Sequence, residues 1–518
     1  MQKQNIGPVL PQERIQTIDI LRALALLGVV IANFTVDNRY VTPEEGRTWF
    51  FDQLVYWPIR FFIDDKAMAM YCFLFGLGFS IQMLRAESRK APFVILQMRR
   101  LVVLFLIGIV ALILTNETIP HEYAIVGMLL LLLYKLSRKI LPILAILCVL
   151  VPFTRNLINQ KKPEINTNKR TEVSVDTTLL NSYTGVYEIA PGSRVIILRN
   201  GNSLFAEGPR RHTNLFAISD SEFVPKNINN ISTFHKDSNG MINKIIYHSP
   251  DGKITDLPRI KTDLQHALKE QLRQRKHGNF ANDTTTYKQF IAGNSKKIWN
   301  RFKTWSWSDF FWGSDISDIL PFFLIGLYAG RRRIFYDVES NKPFLKKVME
   351  WGFILGITGM SINLGFEAWN YINAIYWSDY SPITRSWVNL SWNLGVMAMT
   401  FAYAAGLTLL LENVDWKKRL SFLAPVGRMG FTNYLLQTIP YIILFHYGFN
   451  LSGKIGPFYR LLLALPVYVS LIFLSRWWFK HFTIGPVEWL WRSLTYLKFQ
   501  PMRLKASNKN EEKEIESV

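Results

Sequence analysis

The chain has 518 residues, of which 49% are apolar and 14% aromatic, and its formal net charge is +21. That charge falls in short Lys/Arg clusters between long, nearly uncharged runs, which is the pattern of a polytopic membrane protein; it excludes an ordinary soluble domain, and no nucleic-acid partner is expected. The two cysteines, Cys72 and Cys148, both fall inside apolar runs, so buried free thiols are expected, with no disulfide framework and no metal site.

A short polar segment precedes the first apolar run, which reads as an uncleaved signal anchor. Residues 18–34 are long enough to cross a hydrocarbon core, yet the run carries Asp19 and Arg22 at its start and Asn33 at its far end. Helical periodicity sets Arg22 on the face of Asp19 and returns Asn33 to that face about 20 Å further along. Ionisable groups inside a membrane mark function by default, so Asp19, Arg22 and Asn33 are candidate substrate-binding residues. An ion pair near the headgroups that orients the helix is the plainer reading of the first two.

About ten spans follow from the apolar runs: 17–34, 66–84, 101–115, 122–136, 140–154, 315–330, 348–366, 388–411, 426–446 and 458–478. Connections rich in Lys and Arg alternate with poor ones: 85–100, 135–139, 331–347 and 417–419 against 116–122, 367–387 and 447–457. The loop at 35–64 is mildly exceptional. By the positive-inside rule both termini are cytoplasmic and the long segment 155–314 lies outside. The fold class is therefore an all-α polytopic membrane protein with an inserted small antiparallel β domain. Its parts are a membrane half at 1–154, an extracytoplasmic β domain with linkers at 155–285, a second membrane half at 286–497, and a disordered cytoplasmic tail at 498–518.

In span two, Gly76 and Gly78 suit close helix packing. The short outer loop after span three reads Asn116-Glu117-Thr118-Ile119-Pro120-His121-Glu122. Two carboxylates beside an imidazole can orient it and raise its basicity, so Glu117 and His121 are candidate acid/base groups; an ordinary polar loop is the alternative. Within 155–285, alternating runs separated by Asn200-Gly201, Asn239-Gly240 and Asp251-Gly252 predict hairpins. Tyr183-Thr-Gly-Val-Tyr and the hairpins after it resemble small lipocalin-like β domains, a resemblance that brings no catalytic residue. Leu257 to His277 is charged and helix-compatible, and the Trp-rich run 299–312 suits an interfacial helix. Asp315 and Asp318 share a helix face at the start of span six.

The last third holds Pro425-Val-Gly-Arg-Met-Gly-Phe-Thr-Asn-Tyr-Leu-Leu-Gln437 and Gly485-Pro-Val-Glu-Trp-Leu-Trp-Arg492. With the opening stretch, these words closely resemble the YeiB-like DUF418 family of bacterial inner-membrane proteins, over 1–154 and 286–497. That family is similar to the broader group of transmembrane acyltransferases, which the resemblance implies as the source of chemistry here. Where relatives carry Arg-Gly in span one this chain has Arg22-Ala23, and where they carry a span-three histidine it has Ala111. The implied activity moves an acyl group from cytoplasmic acyl-CoA, the implied donor, to an envelope glycan or lipid acceptor outside. Arg14, Arg22, Arg428 and Arg492 at the inner end suit phosphate or pantetheine contacts, and Asn433 and Glu488 stand beside them as substrate-binding candidates. Glu488 and Arg492, four apart, are also expected to pair on an interfacial helix. His121 and His446, with Glu117, are the candidate catalytic groups on the outer side. The alternative is a transporter or exporter of a small solute or lipid-linked intermediate, in which the same stripe lines a pathway; a third reading makes the β domain the active part of a scaffold or sensor.

Overall fold

The computed structural model describes residues 14–36, 50–90, 92–115, 119–159, 173–190, 193–208, 212–225, 231–248, 254–268, 271, 286–304, 314–373, 381–449, 451 and 455–503. Six helices open the chain: α1 (Gln16–Thr35), α2 (Phe50–Phe62), α3 (Lys66–Ser88), α4 (Phe93–Thr115), α5 (Ile119–Leu133) and α6 (Ile140–Asn159). A short α7 (Thr177–Tyr183) leads into eight strands, β1 (Gly185–Ala190), β2 (Ser193–Asn200), β3 (Ser203–Glu207), β4 (His212–Ala217), β5 (Glu222–Pro225), β6 (Ile231–Lys236), β7 (Ile242–His248) and β8 (Ile254–Ile260). After them come α8 (Tyr287–Thr304), α9 (Ser314–Arg331), α10 (Val338–Asn373), α11 (Pro382–Leu410) and α12 (Val414–Leu420). Three short helices, α13 (Ala424–Arg428), α14 (Gly430–Leu436) and α15 (Thr438–Ile442), precede α16 (Pro457–Phe479) and α17 (Pro486–Tyr496).

Among the described residues, five helical stretches are long and apolar enough to cross a membrane: 16–35, 50–88, 93–115, 383–410 and 457–479, with 119–133 and 140–154 as shorter apolar helices. Large apolar side chains stay exposed along whole faces, as Trp351, Ile354, Leu355, Ile362 and Trp369 do on α10, which suits a lipid-facing surface.

Because lipid offers no hydrophobic drive between helices, close backbone approach carries the packing. Gly76 of α3 lies against the Phe323 carbonyl of α9, and Gly326 of α9 lies in turn against the Phe73 carbonyl of α3. On the α10–α11 hairpin, Gly352, Gly356 and Gly359 meet Ala402, Met399 and Gly395. Both cysteines are free and buried.

Three elements depart from the sequence expectation. Residues 50–62, expected as loop, form the helix α2, with Tyr56 and Ile59 buried and Phe50, Phe51 and Leu54 exposed. Its apolar face is amphipathic and lies along the bundle, and its polar Asp52 and Arg60 hid it from a search for uniformly apolar runs. Span nine is one run in sequence but an irregular helix in space: α13 is interrupted at Met429 (φ −106°, ψ 28°), and the chain continues through α14 and α15 into a π-turn at Ile443–Tyr447. Gly427, Gly430 and Pro440 lower its helical preference. Gly427 also packs so closely on the Asp19 carbonyl that a Cβ there would collide with it.

The third is β8 (Ile254–Ile260), which falls where a helix was expected to begin at Leu257. The strand wins because it pairs with β7 over Lys244–His248 and with β1 at Val186 and Tyr187, closing an antiparallel barrel in the order β1 to β8. Among the described residues of the expected helix, 264–268 and 271 are helical. Gly201 (φ 58°) and Gly240 (φ 77°) sit in the hairpins that the Asn-Gly signals marked. The barrel interior is filled by Tyr183, Tyr187, Leu204, Phe223, Phe234 and Ile245, as expected for a ring of this strand number. The Tyr187 hydroxyl donates to the Tyr183 carbonyl at 2.8 Å, so even its polar atoms are spoken for.

Candidate functional site

The start of α1, one face of α3, α4, the start of α5, residues 427–434 and α17 enclose a cavity of about 360 Å³. Its charged lining is lopsided. Arg14, Arg22, Arg85, Arg100, Arg428 and Arg492 line it against only Asp19 and Glu488, a surplus of four positive charges. At the other end the lining turns apolar and aromatic, with Met68, Leu104, Ile119, Pro120, Tyr123 and Tyr434.

Each charged group is held by a local device. Arg22 Nη1 lies 3.0 Å from Asp19 Oδ1, the pair that the three-residue spacing predicts. Arg100 stacks on the Trp491 ring at 4.3 Å, while the indole N–H of Trp491 donates to the Arg100 carbonyl at 2.8 Å. Arg428 stacks on Phe479 at 4.1 Å. Stacking holds a planar guanidinium by its face, and the N–H fork along its edge is the part that suits phosphate or carboxylate.

Glu488 does not pair with Arg492 as expected. Its Oε1 accepts from the backbone N–H groups of Phe431 (2.8 Å) and Thr432 (3.1 Å), and its Oε2 accepts from the Thr432 hydroxyl (2.5 Å). A carboxylate at the N-terminal turn of α14 meets both the unpaired N–H groups and the positive end of the helix, which outweighs an i,i+4 contact on its own helix. Burial pushes the Glu488 carboxyl above its ordinary value, against the pull of those hydrogen bonds. Burial likewise lowers Arg492, and the nearby Arg14 charge adds to the effect.

Of the residues singled out in the sequence, the cavity brings together Asp19, Arg22, Arg428, Glu488 and Arg492. Asn33 lies at the far end of α1, outside this lining. Asn433 is fully buried behind the wall, its Nδ2 donating to the Val426 carbonyl and the Ser475 hydroxyl. His121 is buried with its backbone against Gly108; its neighbours Pro120 and Tyr123 line the cavity, and His121 is outside the lining. His446 sits in the π-turn with its ring 5.5 Å from that of Tyr441. Glu117 and the side chain of Asp315 fall outside the described residues. Among the described residues no group of three or more His, Cys, Asp or Glu is placed to hold a metal ion.

Sequence reasoning missed Arg85 and Arg100 as site residues, having counted them as topogenic loop charges, and it missed Tyr71. The Tyr71 hydroxyl lines the cavity and has no hydrogen-bond partner among the described residues. It also missed a second charged cluster at the α2–α3 turn. There Arg60 pairs with Asp64 and lies 3.7 Å from Glu367, and the indole N–H of Trp392 donates to Asp65 at 2.8 Å. Lys66, 1% exposed, donates to the Arg60 carbonyl and lies over the Trp392 ring.

Comparison with known proteins bears on both halves of the cavity. Residues 329–498 match the family model described as protein of unknown function (DUF418). The C-terminal third of the chain is thus similar to the DUF418 family. Residues 14–169 match a second model, described as heparan-alpha-glucosaminide N-acetyltransferase, catalytic. The cavity straddles the two matches: Arg428, Glu488 and Arg492 come from the part that matches the DUF418 model, and Arg14, Asp19, Arg22, Arg85 and Arg100 from the part that matches the acetyltransferase model. The chain is 26% identical over 521 residues to the uncharacterized protein YxaH of Bacillus subtilis (strain 168), covering 97% of this chain and 99% of that one. An alignment of that extent includes the barrel between the two matched parts. It is 33% identical over 190 residues to an uncharacterized 39.9 kDa protein of Bacillus acidopullulyticus, covering 36% of this chain and 54% of that protein. Uncharacterized protein YeiB of Escherichia coli (strain K12) is 32% identical over 165 residues, 32% of this chain and 41% of its own length. No solved structure matches the chain.

Proposed function

We propose that the chain is a membrane acyltransferase whose cavity takes an acyl-CoA, with the arginine end facing the cytoplasm and an envelope glycan or lipid as the acceptor on the other side. The observation that carries this reading is the composition of the cavity: six guanidinium groups against two carboxylates at one end, an apolar and aromatic chamber at the other, built together from the parts that match the acetyltransferase and DUF418 models. A phosphorylated head with an uncharged arm fits such a polarity gradient, the arginines meeting phosphate and the chamber the acyl end. The full reading has about ten spans, the apolar helices and the broken segment 424–447 each crossing once. Transfer needs a base for the acceptor and donors for the developing oxyanion. His121, next to lining residue Pro120 and two residues from lining residues Ile119 and Tyr123, is the nearest imidazole to the chamber wall in sequence; His446 and Glu117 complete the candidate set, and the Tyr71 hydroxyl is a donor already inside the cavity.

A second reading, a transporter of a small solute or lipid-linked intermediate, draws on one observation, the broken helix at 424–447, since discontinuous helices line pathways in transporters. The two are separated by purified protein in nanodiscs with radiolabelled acetyl-CoA. Saturable binding, weakened about tenfold in Arg492→Ala or Arg100→Ala by loss of one charge-assisted contact, supports the acyltransferase. No binding at any concentration, together with solute flux into liposomes that stops in Asp19→Asn, supports the transporter.

A further inference from the structure

One polar spot within the helices belongs to neither the arginine cavity nor the Arg60 cluster. Gln437 is 1% exposed, and both its Oε1 and its Nε2 have no hydrogen-bond partner among the described residues. One helical turn earlier, Asn433 is 0% exposed; its Nδ2 is committed to Val426 and Ser475, while its Oδ1 has no partner among the described residues. Residues four apart stack on one helix face, so the two amides present their unused atoms together. The backbone beside them is also short of donors. Pro440 has no N–H to give the Leu436 carbonyl, and the Thr438 hydroxyl is turned back on Leu435 at 2.7 Å. The segment packs into an apolar cluster with Leu26, Val30, Phe445 and Leu471, where an unmet amide is expensive and native chains keep few of them.

The unused atoms define a chemistry. Gln437 offers two N–H donors and a carbonyl acceptor, and Asn433 adds a second acceptor. An anion would face the two acceptors, and a metal cation would face the N–H donors. A hydroxyl satisfies both, accepting from Gln437 and donating to a carbonyl oxygen. We propose that Asn433 and Gln437 form a separate binding site for a hydroxyl group, supplied by water or by a hydroxylated second substrate. Tyr434, three residues before Gln437 on the same segment, lines the arginine cavity, while Asn433 and Gln437 are outside its lining. This site stands on its own atoms and holds whether or not the cavity takes acyl-CoA.

The test uses the full chain in lipid nanodiscs, with the charged thiol reagent methanethiosulfonate ethyltrimethylammonium as the probe of water. Gln437→Cys should react about tenfold faster than Ile439→Cys, which is 51% exposed on the apolar surface, because a thiolate forms only where it is solvated. The unmodified chain, with its two buried cysteines, sets the background. In parallel, Gln437→Leu and the closer-shaped Gln437→Met are melted. An amide that serves a bound hydroxyl leaves an unmet partner when removed, and the melting temperature should fall by about 2–4 °C. Reaction of the Gln437→Cys variant identifies water in contact with solvent. No reaction with a lowered melting temperature identifies an enclosed hydroxylated molecule. No reaction with an unchanged or raised melting temperature means that the amide is a dry orphan better replaced by an apolar group, and the site does not exist.

Discussion

At the residue scale the cavity rests on a few side chains whose partners lie far away in sequence. Glu488 joins α17 to the first turn of α14 through three hydrogen bonds, and burial holds its folded-state value above the ordinary one, near 4.5. The folded chain therefore binds the proton more tightly than the unfolded chain. The stabilisation is complete below the ordinary value and is lost as the pH rises through the raised one. Glu488→Gln keeps an acceptor for the Phe431 and Thr432 N–H groups but cannot titrate. Its melting temperature should vary less than that of the parent as the pH is raised from about 4.5 to about 7, measured by tryptophan fluorescence; an identical slope in both proteins would refute the assignment. Asp19 with Arg22 was legible in the sequence because three residues is one helical turn and nothing distant decides it. Arg100 was not. Its role comes from Trp491, 391 positions away, and no local spacing encodes that meeting. Glu488 was legible as important and misread in partner, since the four-residue spacing to Arg492 suggests a pair while the N–H groups of another helix offer a better one.

At the scale of elements, apolar runs marked most of the helices correctly and failed where polarity and structure part company. The helix α2 shows why. Arg60, Asp64, Asp65 and Lys66 make residues 60–66 look like a surface loop, yet Arg60 and Asp64 are largely buried and shared with Glu367 of α10 and Trp392 of α11. Such a cluster is tolerated because every member has a counter-charge, a hydrogen bond or an aromatic face. Removing one partner exposes the difference. Arg60→Met leaves Asp64 and Glu367 without their cation, and a broken buried pair costs about 3–5 kcal/mol. The variant should melt several degrees below the parent, and Arg60→Lys, which restores the charge without the planar fork, should recover part of the loss. Equal melting of Arg60→Met and the parent would mean that the cluster is hydrated and contributes little. The barrel teaches the complementary lesson: its hairpin turns are written in Asn-Gly pairs, but β8 is specified by β1, at the far end of the barrel sequence, and local composition there favours a helix.

For the whole molecule, the central fact is that neither half of the chain forms the cavity alone, and that a filled β-barrel is inserted between them. Among the described residues the barrel interior is packed with its own apolar and aromatic side chains. The charge pattern supports one orientation of the barrel relative to the membrane. The turns after α3, α5, α9 and α11 carry the Lys and Arg clusters, and they fall at the end of the bundle where Arg14, Arg85 and Arg428 converge. Retention of basic loops on the cytoplasmic side is a bias of translocation that Asp and Glu barely affect, so the excess of carboxylates in other loops does not blur it. On this charge pattern we propose that the barrel, inserted after α6, is extracytoplasmic and that the arginine end of the cavity opens towards cytoplasmic donors. Asn239 in the β6–β7 turn and Ser137 in the α5–α6 turn are both exposed, and the native cysteines are buried. In intact cells a membrane-impermeant maleimide should label Asn239→Cys and spare Ser137→Cys, and permeabilisation should make the two equal. The reverse pattern would put the arginine end outside, where acyl-CoA is absent, and would remove the cytoplasmic donor on which the acyltransferase reading depends.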